Sequence, residues 1–212
     1  MEILKNFVVF EGIDGSGTTT QMEILHNFFE KSKSKMLLPP LFKTFEPTNG
    51  CIGKLIRSAL RNEIEFKPET IAMLFAADRN EHVFGANGIA EQCGLGKLVV
   101  CDRYLLSSLV YQGLTCGEEL PIMLNQGFPG PELLVFFDIT PQAAQERLNS
   151  RTQKEIYETL DFQNKVSERY KALLPRLSGS GVRVEIMDAS LPKTRLAEQV
   201  WAVIEKMPIF KR

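Results

Sequence analysis

Residues 7–11 (FVVFE) form a short apolar run, β-branched and aromatic, that stops at glycines and predicts a buried strand. Beyond the glycines, Met22, Ile24, Leu25, Phe28 and Phe29 recur with helical spacing, so residues 18–31 are predicted to be a helix that the glycine segment opens. Residues 98–101 and 133–139 are apolar without alternation, as strands covered on both faces of a parallel sheet are. Residues 182–187 add a strand, and residues 195–206 a last helix with Leu196, Val200, Val203 and Ile204 on one face. Helical patterns of ordinary length fill the intervals, and the alternation predicts an α/β fold with a mainly parallel sheet. Residues 31–40 and 113–131 read as flexible connections. With no repeat and no long linker in 212 residues, one domain is expected over 1–212.

Composition narrows the function. Hydrophobic residues make up 44% and charged residues 24%, close to the globular average, which argues against disorder and low complexity. Twenty-five Lys+Arg against 26 Asp+Glu leave a net charge of -1, so no global basic field gathers nucleic acid or an anionic membrane. The longest apolar stretches, such as residues 133–137, fall far short of the roughly 18 needed to cross a bilayer. Residues 1–6 lack the basic start and apolar middle of a signal peptide, so a cytoplasmic protein is expected. Cys51, Cys93, Cys101 and Cys116 show no CxxC spacing and read as reduced thiols. His26 and His82 are the only histidines, which argues against an all-His or Cys/His zinc site.

Gly12-Ile13-Asp14-Gly15-Ser16-Gly17-Thr18-Thr19 follows the phosphate-loop pattern G-x-x-x-x-G-K-[ST] between a strand and a helix, except that Thr18 stands where the lysine belongs. Such a loop aims backbone N–H groups at phosphate oxygens beside the positive end of a helix, and glycine permits the close approach. Thr19 takes the hydroxyl position that would hold magnesium. The lysine ordinarily neutralises charge between the β- and γ-phosphates. Without it, a glycine-rich turn opening an ordinary helix is the competing reading.

Several separate motifs decide between the two. The stretch from Phe10 through Thr20 to Gln21 resembles FEGxDGxGKTTQ, the opening of the thymidylate kinase (dTMP kinase) family, with only the lysine changed. Glu46-Pro47 resembles the family's Glu-Pro turn after its second strand, with Phe45 in place of the usual arginine, and Ile56-Arg57 its downstream Ile-Arg. LFAADR at residues 74–79 and DRY...S..YQG at residues 102–113 are intact. Residues 131–147 resemble the strand before the lid, and residues 160–170 (LDFQNKVSERY) the helix after it. The resemblance spans nearly the whole chain. It implies a three-layer sandwich, helices flanking a central, mainly parallel five-stranded sheet in the P-loop nucleotide kinase fold.

The residues support that resemblance physically. Phe75 and Arg79 lie four apart, so on a helix one ring and one guanidinium can grip the face and edge of a single planar group. Taken alone, the pair reads rather as a core Phe beside a solvated Arg; the resemblance reverses this, because in the family the two positions meet thymine. Asp102-Arg103 follows a strand at the edge where open parallel sheets place ligands, so the carboxylate suits magnesium and Arg103 an acceptor phosphate. A surface ion pair is the alternative. The resemblance places Ser108 and Tyr111 by the base edge and deoxyribose, with Gln112 either a further base contact or structural. Glu46 and Pro47 fall on the substrate side. Arg57 reads as reaching the acceptor phosphate or as an exposed arginine. Asp14 adds negative charge to a phosphate loop, so it has a second job: by resemblance it faces the acceptor's 3′-hydroxyl and phosphate region, or it makes a local Asx turn.

Residues 147–158 (RLNSRTQKEIYE) occupy the place of the family's mobile lid, although the pattern RGxxDRxE is broken and the segment is shorter. Closing a lid brings positive charge to the transferring phosphoryl, so Arg151 or Lys154 is a candidate replacement for the cation missing at Thr18; a solvated charged helix is the other reading. The resemblance thus implies transfer of the γ-phosphoryl of ATP to dTMP, giving dTDP and ADP on the way to dTTP, with Mg2+. Gly12, Ile13, Asp14, Gly15, Ser16, Gly17, Thr18, Thr19, Thr20 and Arg147 would cradle ATP, Thr19 and Asp102 would hold the metal, and Asp14, Arg103 and Arg151 would be catalytic. It also implies a homodimer through helices beside the acceptor site. Two other functions fit the altered loop: a degenerate nucleotide-binding homologue with weak or no transfer, and a kinase for another deoxynucleoside monophosphate.

Overall fold

A computed structural model describes residues 1–32, 37–148 and 156–211. The first apolar run becomes β1 (Ile3–Gly12), and the glycine segment opens α1 (Thr18–Ser32). Then β2 (Leu41–Phe45), α2 (Cys51–Leu60), α3 (Pro68–Phe84) and α4 (Ile89–Gly94) lead to β3 (Leu98–Asp102). Two helices, α5 (Leu105–Cys116) and α6 (Glu119–Asn125), join it to β4 (Gly130–Asp138). Helices α7 (Pro141–Leu148) and α8 (Leu160–Ser178) precede β5 (Arg183–Asp188), and α9 (Lys193–Ile204) is followed by a 3-10 turn, Pro208–Phe210. Among the described residues no helix is long and apolar enough to cross a membrane, and all four cysteines are unpaired.

All five strands are parallel, in the order β2-β3-β1-β4-β5, so the mainly parallel expectation is met in full. Alternation along the central strands supplies both faces. Phe7 and Val9 of β1 and Val99 and Cys101 of β3 pack with Val83 of α3, Ile89 and Cys93 of α4 and Leu105 of α5. Val8, Phe10, Leu98 and Val100 turn to the opposite face. They join a larger core with Met22, Leu25 and Phe29 of α1 and Leu196, Val200 and Ile204 of α9. Helices cover both faces, which explains why the sequence of these strands shows unbroken apolar runs.

The connection expected over residues 113–131 is corrected: the end of α5, all of α6 and the first residues of β4 occupy much of it. Its apolar signal is weak because α6 buries only Pro121 and Asn125. At residues 31–40, Lys31 and Ser32 still belong to α1, residues 37–40 lead into β2, and residues 33–36 lie outside the described residues. The edge strand β2 is interrupted by Lys43 and Thr44, so hydrophobicity alone gives it little signal.

The segment between β2 and α2 is set by close backbone packing. A Cβ on Gly53 would overlap the Thr48 carbonyl oxygen and stand 2.7 Å from the Thr48 carbonyl carbon and nitrogen. Ala is favoured over Gly in a helix by about 1 kcal/mol. Here the sign reverses: Gly53→Ala is expected to destabilise by about 2 kcal/mol or more, read as a drop in the urea midpoint with unchanged slope.

Candidate active site

At the carboxyl edge of the sheet, where β1, β2 and β3 end on Gly12, Phe45 and Asp102, a cavity of about 960 Å³ opens. Open parallel sheets place ligands at this edge. The cavity is lined by the glycine loop from Asp14 to Thr19, by Thr20, by Glu46, Pro47, Arg57, Phe75 and Arg79, and by Asp102, Arg103, Ser108, Tyr111, Gln112 and Arg147. It therefore brings together most of the residues singled out from the sequence. Ile13 is buried in the core, so its backbone is all it offers the loop; the Ser16 amide donates to its carbonyl at 3.1 Å.

Gly15 and Gly17 hold φ of +83° and +99°, a region that disfavours side chains. A Cβ on Gly15 would also stand 2.6 Å from the Ala144 carbonyl oxygen of α7. Arg147, on the same helix, donates to the Gly15 and Ser16 carbonyls at 3.4 Å each and to that of Ala189 at 2.8 Å. Its guanidinium thus ties the loop to the β5–α9 connection. Thr18 is buried, on the cavity wall.

The Thr19 hydroxyl donates to one oxygen of Asp102, while the other oxygen, Oδ1, is buried with no hydrogen-bond partner among the described residues. An acceptor left in that state costs about 1–3 kcal/mol. A hard divalent cation with oxygen ligands would satisfy it, so this corner fits Mg2+. Among the described residues no cluster of three His, Cys, Asp or Glu side chains is suited to a metal, and Mg2+ with water and phosphate ligands needs none.

Asp14 is no local Asx turn. Its carboxylate accepts from Arg103 Nη2, from the Tyr111 hydroxyl at 3.1 Å and from Gln163 Nε2 at 2.7 Å, so it ties the loop to α5 and α8. Arg103 adds bonds from Nη1 to the Gly12 carbonyl at 3.0 Å and to Ser107 Oγ at 3.2 Å, with its guanidinium 5.3 Å over the Tyr111 ring. Its backbone has a φ of +66°, unusual for a side chain of this size. Gln163 carried no signal of its own; only its place one turn into the family-like LDFQNK helix marks it.

On the far side, Glu46 takes Arg79 Nε and Nη2 on one oxygen at 2.9 and 2.7 Å and His82 Nδ1 on the other at 3.0 Å. Arg79 is 1% exposed, so it is no solvated surface arginine. Phe75, one turn earlier, shares its face and lines the cavity. Arg57 Nη1 donates to the Pro47 and Thr48 carbonyls at 2.7 Å each, so this arginine braces the Glu46-Pro47 turn as well as facing the cavity. Of the lid segment, Arg147 ends on α7 and residues 156–158 are described, with Tyr157 stacked on Phe162 at 5.0 Å. Arg151 and Lys154 lie outside the described residues.

A family model described as thymidylate kinase matches residues 10–200. The chain belongs to the thymidylate kinase family. Relatives that carry thymidylate kinase in their names agree with the match. One from Treponema pallidum (strain Nichols) is 44% identical over 174 residues, 82% of this chain and 81% of its own length. One from Aeropyrum pernix is 37% identical over 84% of this chain and 82% of its own length. One from Methanococcus maripaludis (strain S2 / LL) is 37% identical over 97% of this chain and 98% of its own length. As a thymidylate kinase family member the chain is a phosphotransferase, and the all-parallel sheet is that of a P-loop nucleotide kinase.

Within this thymidylate kinase site one buried group stands behind the others. Glu11, at the end of β1, is 0% exposed. One of its oxygens accepts from the Tyr104 and Ser107 amides at 3.0 and 3.1 Å, the other from the Ser107 hydroxyl at 2.6 Å and the Tyr170 hydroxyl at 2.8 Å. Burial raises its pKa above the ordinary 4.5, against the lowering effect of Ser107, Arg103 and Tyr170. A carboxyl raised on folding stabilises most below its unfolded pKa, and that contribution is lost as pH climbs through the folded value. Gln keeps the shape and the amide acceptor without the charge. Glu11→Gln is therefore expected to lose less stability than the unmodified protein as pH rises above 4.5, because the loss that comes from ionising this carboxyl is absent. Parallel melting curves would refute this.

Proposed function

We propose that the chain transfers the γ-phosphoryl of ATP to dTMP, giving dTDP and ADP, as one kinase unit over residues 1–212 with residues 147–158 as its lid. The observation that carries the reading is one cavity lined both by a phosphate loop and by an aromatic-arginine pocket, Phe75 with Arg79. The phosphate loop suits the donor and the pocket a planar base. The family membership supports the same assignment.

An acceptor phosphate oxygen is already an anion, so alignment and charge neutralisation carry the chemistry and no strong base is needed. The amides of the Gly12–Thr20 loop hold the donor phosphates, except those of Asp14 and Ser16, which are bonded to Gln163 and Ile13, and Arg147 braces the loop that presents them. Thr19 and Asp102 would hold Mg2+, which when bound neutralises phosphate charge. Arg103, fixed by Asp14 and Gly12, receives the acceptor phosphate; Asp14 and Tyr111 flank the sugar; Phe75 stacks on the base while Arg79, Ser108 and Gln112 meet its edge. Glu46, Pro47 and Arg57 shape that end of the pocket. We further propose that the protein is cytoplasmic and forms a homodimer, the dimer supported by the exposed Met73 and Phe84 on α3.

Coupled ADP-release assays are expected to show dTMP as the best acceptor, ahead of dUMP, dCMP and dGMP. Tight dTMP binding with no ADP release would replace this reading by the degenerate homologue.

Thr18 defines a second test. The loop supplies no cation of its own, so Thr18→Lys, extending into the cavity, is expected to raise kcat by about tenfold, the scale of one added transition-state charge contact. Arg151→Ala or Lys154→Ala is expected to lower it. If Thr18→Lys gives no gain, the charge already arrives from elsewhere, and Lys193, on the same cavity wall, becomes the residue to remove.

A further inference from the structure

We propose that Asn125, which is not part of the cavity wall, positions Arg79 and Ser108 and thereby sets the discrimination between a pyrimidine bearing a 4-carbonyl and one bearing a 4-amino group. The inference rests on the dTMP reading above and names what enforces base choice within it.

Asn125 ends α6 and is 7% exposed. Its Oδ1 accepts from Arg79 Nη1, and its Nδ2 donates to the Pro121 carbonyl at 2.7 Å and reaches Ser108 Oγ at 3.5 Å. A guanidinium has no acceptor and a peptide carbonyl has no donor, so these two partners leave the amide one orientation. Glu46 holds the other edge of Arg79 through Nε and Nη2. The Tyr104 and Phe128 rings lie 5.2 and 5.7 Å from the guanidinium carbon.

The guanidinium is thus fixed in plane and in rotation. A guanidinium carries five N–H donors. Glu46 and Asn125 take three of Arg79's, which leaves one N–H on each terminal nitrogen for a ligand in the cavity that Arg79 lines. Those donors match a carbonyl oxygen. An exocyclic amino group facing them sets donor against donor, and a buried polar mismatch discriminates far better than a methyl group does. A guanidinium free to swing would lose that mismatch, because it could turn its unused N–H groups away. Asn125 removes that freedom from one edge as Glu46 does from the other, and it draws Ser108 into the same array.

The test is equilibrium binding of dTMP, dCMP and ATP to the unmodified protein and to Asn125→Leu, Asn125→Ala and Asn125→Asp, with melting curves on the same samples. Leu and Ala remove the acceptor and are expected to narrow the dTMP-over-dCMP preference about tenfold while ATP affinity holds. Asp keeps an acceptor for Arg79 and is expected to retain the preference. Should the Leu variant not melt cooperatively, the Ala variant decides by the same measure. An unchanged preference in a folded Leu or Ala variant overturns the inference, as does an equal loss for all three nucleotides. The two readings fail differently. An unmodified protein that selects dTMP yet releases no ADP refutes the transfer reaction alone, whereas one that binds dTMP and dCMP alike refutes the role of Asn125 whether or not phosphoryl moves.

Discussion

The site depends on the carboxylate of Glu11 serving as a cap for a helix to which it does not belong. Tyr104, at the N-terminus of α5, makes no capping bond with its own side chain. Orphan amides at a helix start need an acceptor. Glu11 takes the Tyr104 and Ser107 amides, and with its second oxygen the hydroxyls of Ser107 and of Tyr170 on α8. A side chain at the end of β1 therefore fixes where α5 begins and how α8 lies against it. Arg103, Ser108, Tyr111 and Gln112 all belong to that junction or the helix after it. The left-handed backbone at Arg103 is tolerable in this setting, because the amide on one side donates to Phe10 and the next to Glu11.

A chain with almost no net charge here builds a cavity for very highly charged ligands. It does so with placed groups. Two of the arginines that line the cavity are already bonded to carboxylates, Arg103 to Asp14 and Arg79 to Glu46. Pairs that are buried, as Arg79–Glu46 is, or half-buried, as Arg103–Asp14 is, are weak evidence of added stability, since desolvation offsets much of the attraction. Their effect is on geometry: each guanidinium has lost its rotational freedom before any ligand arrives, so the ordering cost is not charged against binding.

Much of this was legible in the sequence. Strands buried on both faces announce themselves by unbroken apolar runs, and β1, β3 and β4 fall where those runs are. Phosphate-loop spacing and the Phe75–Arg79 pair were visible because each is a short-range pattern with a fixed period. Contacts that act across distance leave no such mark. Gln163 meets Asp14 from 149 positions away and Asn125 meets Arg79 from 46, and neither carries a local pattern. Edge strand β2 and helix α6 were faint because each buries little apolar surface. Arg57 and Arg79 are legible as cations, but their bracing contacts with backbone and carboxylate depend on packing that no spacing rule encodes.

Gly15 has a wider consequence. Its left-handed φ and the Ala144 carbonyl 2.6 Å from any Cβ mean that helix α7 seals the outer side of the loop. A cation cannot be introduced there by changing one codon; the whole of α7 would have to retreat first. Position 15 is thereby closed to single-step evolution toward a larger side chain, whereas Thr18, on the cavity wall, is the open place in the same loop.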